Sequence, residues 1–289
     1  MIPLALSMAC WAPLLPDEHV LGADVSAISL SGDAASQFGT AVALGPDHLV
    51  VGAPGAGTVS LYTLDGELVW VSDSVGRMGQ QVWWIEDAVW AWGRGDGLYQ
   101  LGEGEVIPFL ETPDATAIEL VDGPEVYTRE GEGETLAVRD GQTLFTSCID
   151  DLCEVWLDEE LLGTSSPGSA VGWVGEEPCW GDARIESDPS PGSIACRDGT
   201  TWDGLEGDHL GVALTDTLTA GVFNKWQVPA RARIVSLIAQ PTLAIEQAAE
   251  RSRLSLATNE THLAVGVPGY GRSSGEEGQV LLVALQDLP

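Results

Sequence analysis

A block of apolar residues, glycines and turn residues occurs near both ends of the chain and constrains its fold strongly. Residues 38–64 read FGTAVALGPDHLVVGAPGAGTVSLYTL, and residues 254–285 read LSLATNETHLAVGVPGYGRSSGEEGQVLLVAL. Both blocks contain a short apolar strand, a polar turn and an apolar run that ends in Gly-x-Pro, so that Leu49 corresponds to Leu263 and Gly52 to Gly266. Self-similarity with a period near 40 residues is typical of radial all-β repeat proteins.

Weaker copies lie between these blocks, with first strands near residues 40, 80, 116, 169, 211 and 254. In the first copy the strand-like runs TAVAL, LVVGA, TVSLYTL and ELVWVS alternate with turns, which gives one four-stranded blade. The interval from 116 to 169 is too short for two complete blades, and a degenerate extra blade around 146–165 stays open. The sequence therefore predicts an all-β fold, a β-propeller of six or seven four-stranded blades.

Two details favour a propeller over a sandwich. The second strands, at 49–51 and 263–265, are apolar on both faces, as strands are when sheets stack on either side. The last copy lacks a fourth strand, and VSAISL at 25–30 is predicted to supply it and to close the ring. We predict a signal peptide at 1–9, a tether at 10–24 and one propeller domain at 25–289.

The first copy resembles the FG-GAP repeat of integrin α-subunits and bacterial surface proteins, through FG at 38–39, LVVGAP at 49–54 and GTVSLY at 57–62. That resemblance implies a propeller used for adhesion or protein binding. Many FG-GAP repeats carry a DxDxDG calcium loop, but the corresponding turns here are GPDH and TNETH. Three carboxylates do not converge there, so we predict no metal and no cofactor.

The charge balance restricts the partners. The chain has 12 basic and 44 acidic residues, a net charge of −32, with Lys225 as its only lysine. Such a surface repels phosphate backbones, which argues against nucleic acid as a partner. A cationic protein or a neutral glycan is compatible with it, as is a purely solubilising role for the acidity.

The first ten residues, MIPLALSMAC, read as a short export signal that ends in a lipobox, with Cys10 as the lipidated residue. The run is short and lacks a preceding Lys or Arg, so a buried strand with an ordinary cysteine is the alternative. An acyl anchor on Cys10 would be the protein's contact with a membrane.

Four cysteines remain, Cys148, Cys153, Cys179 and Cys196. Local pairing, 148 with 153 and 179 with 196, is the simplest of the three connectivities. A zinc site is the alternative, but the spacing contains no CxxC and no nearby histidine. Disulfides indicate an oxidising compartment, so we predict an extracellular, cell-surface or periplasmic location.

Tryptophans crowd the second copy at Trp83, Trp84, Trp90 and Trp92. Aromatic rings on one strand face can bind sugars, which makes these residues carbohydrate-binding candidates. The alternative is that they fill the wedges between blades. The tripeptide Arg94-Gly95-Asp96 lies in a glycine-rich turn of the same copy and matches a known adhesion sequence.

Catalytic signatures are sparse. The chain has four histidines and no GxSxG, HExxH or P-loop motif. His48 and His262 occupy equivalent repeat positions on different blades, which is typical of turn residues. We therefore predict no catalytic residue and a monomeric, non-catalytic propeller that binds a protein or glycan partner at its loops. The alternative is a propeller enzyme acting on extracellular polysaccharide, which would gather carboxylates or a histidine beside aromatic residues at the central channel.

Overall fold

A computed structural model describes residues 18–112, 114–121, 125–130, 135–150, 152–183, 191–204, 210–223, 230–237, 242–248, 254–268 and 277–288. The described residues form 27 β-strands in seven sheets and one short 3-10 helix, Leu285–Asp287. This confirms the all-β prediction. The predicted signal peptide at 1–9 and Cys10 lie outside the described residues.

Two strands precede the first repeat: β1 (Glu18–Val20) and β2 (Ile28–Ala34). Sheet I contains β3 (Ala41–Leu44), β4 (His48–Ala53), β5 (Thr58–Thr63) and β6 (Leu68–Val71). Sheet II contains β7 (Gln81–Ile85), β8 (Ala88–Gly93), β9 (Gly97–Gly102) and β10 (Glu105–Leu110). Sheet III contains β11 (Ala117–Val121) and β12 (Glu125–Arg129). Sheet IV contains β13 (Leu136–Arg139), β14 (Gln142–Ile149), β15 (Leu152–Leu157) and β16 (Glu160–Ser165).

Sheet V contains β17 (Val171–Val174), β18 (Glu177–Gly181), β19 (Ser193–Cys196) and β20 (Thr201–Asp203). Sheet VI contains β21 (Leu210–Leu214), β22 (Leu218–Phe223), β23 (Ala230–Ser236) and β24 (Thr242–Ala248), with β1 parallel to β24 at its outer edge. Sheet VII contains β25 (Ser255–Thr258), β26 (His262–Val267) and β27 (Glu277–Ala284), with β2 at its outer edge.

Except between sheets II and III, the first strands of consecutive sheets lie side by side around a common centre. β25 contacts β3, β3 contacts β7, and the series continues from β11 through β13, β17 and β21 back to β25. Sheets II and III are joined by a hydrophobic cluster that includes Trp90, Trp92 and Ile118. Each sheet therefore packs face to face against the next, and sheet VII packs against sheet I.

The packing of the second strands explains why both of their faces are apolar. In β4, Leu49 and Val51 pack against sheet VII, whereas Val50 packs against sheet II. β26 has the same burial pattern as β4: a partly buried histidine followed by five buried residues. The blocks near residues 50 and 264 are thus the same structural unit, as the sequence predicted.

Glycines set the distance between neighbouring sheets. A glycine just before or at the start of a first strand lies against a glycine in the second strand of the sheet before it. The pairs are Gly79 with Gly52, Gly39 with Gly266, and Gly211 with Gly181. A Cβ on Gly52 would lie 2.1 Å from the Gly79 carbonyl oxygen, and Gly79 has a φ of +95°. Both positions require glycine, one for space and the other for its left-handed backbone. The hydrophobic residue before each first-strand glycine, for example Phe38 or Met78, is buried.

The N-terminal strands correct one predicted boundary. The strand predicted at 25–30 is observed as β2, and it pairs antiparallel with β27, so that Ile28 lies opposite Leu282. However, β1 lies within the predicted tether at 10–24, and Val20 and Leu21 are buried. The folded domain therefore includes residues from 18 onward, because β1 pairs with β24 and buries apolar surface there.

The interval from 116 to 169 contains two sheets, the two-stranded sheet III and the four-stranded sheet IV. The extra blade that stayed open around 146–165 thus falls within sheet IV. Two runs whose composition suggests other local structure are also strands. The loop-like sequence DEELLGTSSPGS at 158–169 contains β16. The helix-like sequence TLAIEQAAERSR at 242–253 begins with β24, whose buried residues pack into the core between sheets VI and VII.

Both disulfides join directly opposite residues of adjacent antiparallel strands. Cys148 on β14 is bonded to Cys153 on β15, and Cys179 on β18 is bonded to Cys196 on β19. The predicted local pairing is confirmed. Opposite positions bring the two Cβ atoms within bonding reach, so the hairpin register itself selects this connectivity.

We predict that Gly52→Ala lowers the free energy of unfolding by at least about 2 kcal/mol relative to Gly102→Ala. The new methyl group would meet the Gly79 carbonyl, whereas a Cβ on Gly102 meets no atom within 4 Å. Both substitutions remove one glycine from the unfolded chain, so the difference isolates the contact between sheets. Urea denaturation measures it, and equal stability of the two variants would contradict the role given to the glycine pair.

Candidate functional site

The four tryptophans of sheet II do not form one platform. Trp90 and Trp92 are 5% and 3% exposed and pack with Leu98 against sheet III. The indole N–H of Trp92 donates a hydrogen bond of 2.8 Å to the buried hydroxyl of Thr112. These two rings fill the wedge between sheets, so neither presents a face to a sugar.

Trp83 and Trp84 are partly exposed but lie on opposite faces of β7. Trp84 points toward sheet I and stacks on His48, with ring centroids 5.4 Å apart and planes 10° apart. Trp83 points toward sheet III, where it packs beside the cluster of Trp90 and Trp92. A shared sugar-binding face is therefore not formed by the residues that the sequence grouped together.

Glu119 is the titratable group with the largest perturbation near the centre of the ring. It lies on β11, the first strand of sheet III. Part of its surface is accessible to solvent, but most of the atoms around its carboxyl group belong to the protein. Desolvation raises the pKa of Glu119 to about 8, and a hydrogen bond from Trp83 opposes part of that rise. Among the first strands β3, β7, β11, β13, β17, β21 and β25, Glu119 is the single carboxylate. A glycosidase uses two carboxylates, which this set of strands does not provide.

The Arg94-Gly95-Asp96 turn is held by two hydrogen bonds to the segment that precedes β7. The Asp96 carboxylate accepts a hydrogen bond of 2.6 Å from the Arg77 backbone N–H. The Arg94 backbone N–H donates to the side-chain oxygen of Gln80. Asp96 thus anchors the hairpin tip to the segment that enters sheet II, which is a structural role.

The described histidines are dispersed. His48 and His262 begin the second strands of sheets I and VII, as the repeat predicted, and His19 lies on β1 of sheet VI. His209 lies outside the described residues. Within the described ranges, no three His, Cys, Asp or Glu side chains are grouped so as to hold a metal ion. No helix among these residues has the length and apolar character needed to cross a membrane.

Large apolar side chains are exposed along part of the outer edge. We call this set the apolar rim: Ile28, Leu68, Val69, Val71, Ile107, Phe109, Leu110, Ile149, Leu152 and Leu161. They lie on the outermost strands β2, β6, β10 and β16, except for the pair at the tip of the β14–β15 hairpin. Ile28 lies beside Gly66 and Val71 beside Gly104, so the members on β2, β6 and β10 are neighbours. Exposed apolar side chains grouped in this way mark interaction sites more often than scattered single residues do.

A groove of about 780 Å³ adjoins the apolar rim between sheets I and II. Val75, Val106 and Pro108 contribute apolar walls, and Asp73 and Glu111 contribute carboxylates. This surface lies on outer strands, whereas the predicted binding site was on loops. The sequence does contain a signal for it. ELVWVS at 67–72 and EVIPFL at 105–110 do not alternate between apolar and polar residues, as solvent-facing strands should.

Comparison with known proteins concerns the fold. No family model matches the sequence, and no curated protein matches it. The chain is similar to the C-terminal WD40 domain of Sif2, at 16% identity and a TM-score of 0.47 over 82% of this chain and 78% of that one. It is similar to BamB from Moraxella catarrhalis, at 14% identity and a TM-score of 0.47 over 90% and 94%. It is also similar to Raptor from Chaetomium thermophilum, at 8% identity and a TM-score of 0.59 over 88% and 29%.

The protein is a β-propeller. The repeated four-stranded sheets packed face to face around a centre establish that fold. At such low identity the similarities carry no information about ligands. The function of this propeller must therefore be argued from its own surface.

We predict that Glu119→Gln makes the propeller less sensitive to alkaline pH. Because the folded pKa is raised, the folded state keeps a proton that the unfolded state has lost, and wild-type stability falls as pH rises from about 5 to about 8. Each unit of pKa shift corresponds to about 1.4 kcal/mol, so Glu119→Gln should remove a loss of at least that size. Urea denaturation at the two pH values measures it. Glu67→Gln, at an exposed turn, is the control, and equal pH profiles for the two variants would contradict the prediction.

Proposed function

We propose that this protein is an exported, non-catalytic β-propeller that binds a partner protein through its apolar rim. The observation that carries the proposal is the exposure of apolar side chains on neighbouring outer strands. In β6, Leu68, Val69 and Val71 are 55%, 48% and 48% exposed. A half-exposed leucine or valine forgoes about 1 kcal/mol of burial energy, which a partner protein would recover.

The non-catalytic part of the proposal is supported by the arrangement of titratable groups. Glu119 stands without a second carboxylate on the described first strands, and the described histidines lie on separate sheets. The polysaccharide-enzyme alternative requires a cluster of such groups beside aromatic rings. No observation favours that alternative over binding.

Export is supported by the two disulfides, since reduced thiols are the rule in the cytosol. We also propose that Cys10 is lipidated and that the chain is related to FG-GAP surface propellers, because it carries FG at 38–39 and GAP at 52–54. A cationic or neutral partner surface fits the net charge of −32.

We predict that a photoreactive amino acid at Val71 or Phe109 forms a discrete cross-linked product with a partner protein in the native cell. The same group at Thr201, an exposed residue of β20 in sheet V, should not form it. Gel electrophoresis after irradiation, followed by mass spectrometry, identifies the product. No product at either rim position, or equal labelling at Thr201, would contradict a binding role for the rim.

We predict that Cys148, Cys153, Cys179 and Cys196 are fully oxidised in the protein taken from its native cell. A thiol-alkylating reagent added before lysis should label none of the four, and labelling after reduction should reach all four. The same chain retained in a reducing cytosol is the control and should be labelled at once. Labelling of these residues in the native protein before reduction would refute export.

A further inference from the structure

Among the described residues, sheet III has two strands, whereas each of the other sheets has four or five. β12 ends at Arg129 and β13 of sheet IV begins at Leu136. Within the described ranges, no other strand pairs with the outer edge of β12.

β12 has the position of a second strand but the exposure of an edge strand. In β4, β8 and β26 the corresponding strand has five consecutive buried residues, whereas no residue of β12 is buried. An edge strand presents unpaired backbone N–H and C=O groups, which are a template for a further strand.

The walls on either side of this position are apolar and face each other. On sheet II, the Phe109 ring meets Trp90 edge-on with centroids 5.1 Å apart, so Phe109 lies on the face turned toward sheet III. On sheet IV, Leu161 is 51% exposed and lies opposite Trp156, which packs at the interface with sheet III. We call the space bounded by β10, β12 and β16 the notch.

The unpaired edge of β12 selects the shape of the occupant. Packed sheets lie about 10 Å apart, so the layer that continues sheet III beyond β12 has the thickness of one sheet, that is, of extended chain with side chains on both faces. A helix, about 10 Å wide, would leave the edge of β12 unpaired.

Charge indicates what flanks the apolar part of that occupant. Glu125 is the first residue of β12 and Glu130 follows its last, and both are exposed. The guanidinium of Arg129 is 3.3 Å from the centre of the Phe145 ring, and it is therefore already engaged in the interface with sheet IV. Glu154, two residues before Trp156 on β15, adds an exposed carboxylate on the wall formed by sheet IV.

We propose that the notch is a strand-addition site, in which β12 pairs with an extended segment of a partner protein. The segment has about five apolar residues, matching the five residues of β12, and a lysine or arginine at each end to meet Glu125 and Glu130. This inference rests on the proposed binding function and specifies its site and partner chemistry.

The test uses the full-length chain and two fluorescent nonapeptides with the core Val-Ile-Val-Thr-Val. One peptide carries two lysines at each end and the other two glutamates. We expect the wild type to bind the lysine-ended peptide at least about tenfold more tightly, measured by fluorescence anisotropy. Hydrogen exchange should show new protection of the Glu125–Arg129 amides when that peptide binds.

Charge reversal at the notch is the decisive comparison. Glu125→Lys/Glu130→Lys should reverse the preference, so that the glutamate-ended peptide binds more tightly. Glu67→Lys/Glu260→Lys makes the same change in net charge at exposed turns of sheets I and VII and should leave the preference unchanged. A general attraction of cations to an acidic protein would affect both variants alike.

Any one of four results would overturn the proposal. The first is no saturable binding of the lysine-ended peptide by the wild type up to about 1 mM. The second is new amide protection outside β12 when the peptide binds. The third is a peptide preference that the notch variant does not reverse. The fourth is protection of β12 in the peptide-free protein that disappears on dilution or on deletion of residues 2–17, because a second copy or the chain's own N-terminus would then occupy the notch. Cross-links at Val71 without peptide binding would leave the proposed function standing and remove only the strand-addition site.

Discussion

The close approach of glycine backbones between neighbouring sheets is the constraint on which the rest of this propeller depends. With a carbonyl oxygen of Gly79 against the Cα of Gly52, two sheets meet at a distance that no side chain could allow. The same contact recurs between Gly39 and Gly266, so it fixes the geometry at several places around the centre. The apolar side chains then pack on both faces of second strands such as β4, against one neighbouring sheet on each side.

Where the ring lacks that regularity, bulky aromatic residues take over. The first strands of sheets II and III do not approach each other as the others do, and Trp90, Trp92 and Ile118 fill the wedge between them. Glu119 lies at the same junction, close enough to Trp83 to accept its indole N–H. Three of the four tryptophans predicted to bind sugars, Trp83, Trp90 and Trp92, therefore belong to the packing of this irregular junction between sheets.

The same irregularity leaves part of the apolar rim exposed. Among the described residues sheet III ends at β12, and Phe109 and Leu161 on the outer strands of sheets II and IV are about half exposed. The disulfide between Cys148 and Cys153 holds the neighbouring hairpin, whose tip presents Ile149 and Leu152 to solvent. Irregular packing and part of the apolar rim thus coincide beside sheet III, and the acidic residues there set the charge of a suitable partner.

The sequence by itself determined the repeating unit, the strands of the first and last copies, and the disulfide pairing, because each of these depends on local alternation, turn residues and hairpin register. It also supplied the glycines, since Gly52 and Gly266 stand at equivalent places in the repeat. Only the tertiary structure decided that 116–169 holds one truncated and one complete sheet, that β1 joins sheet VI, and that the tryptophans point to opposite faces. Those outcomes depend on which sheet faces lie next to each other around the ring, and short-range patterns in a sequence carry no record of that neighbourhood.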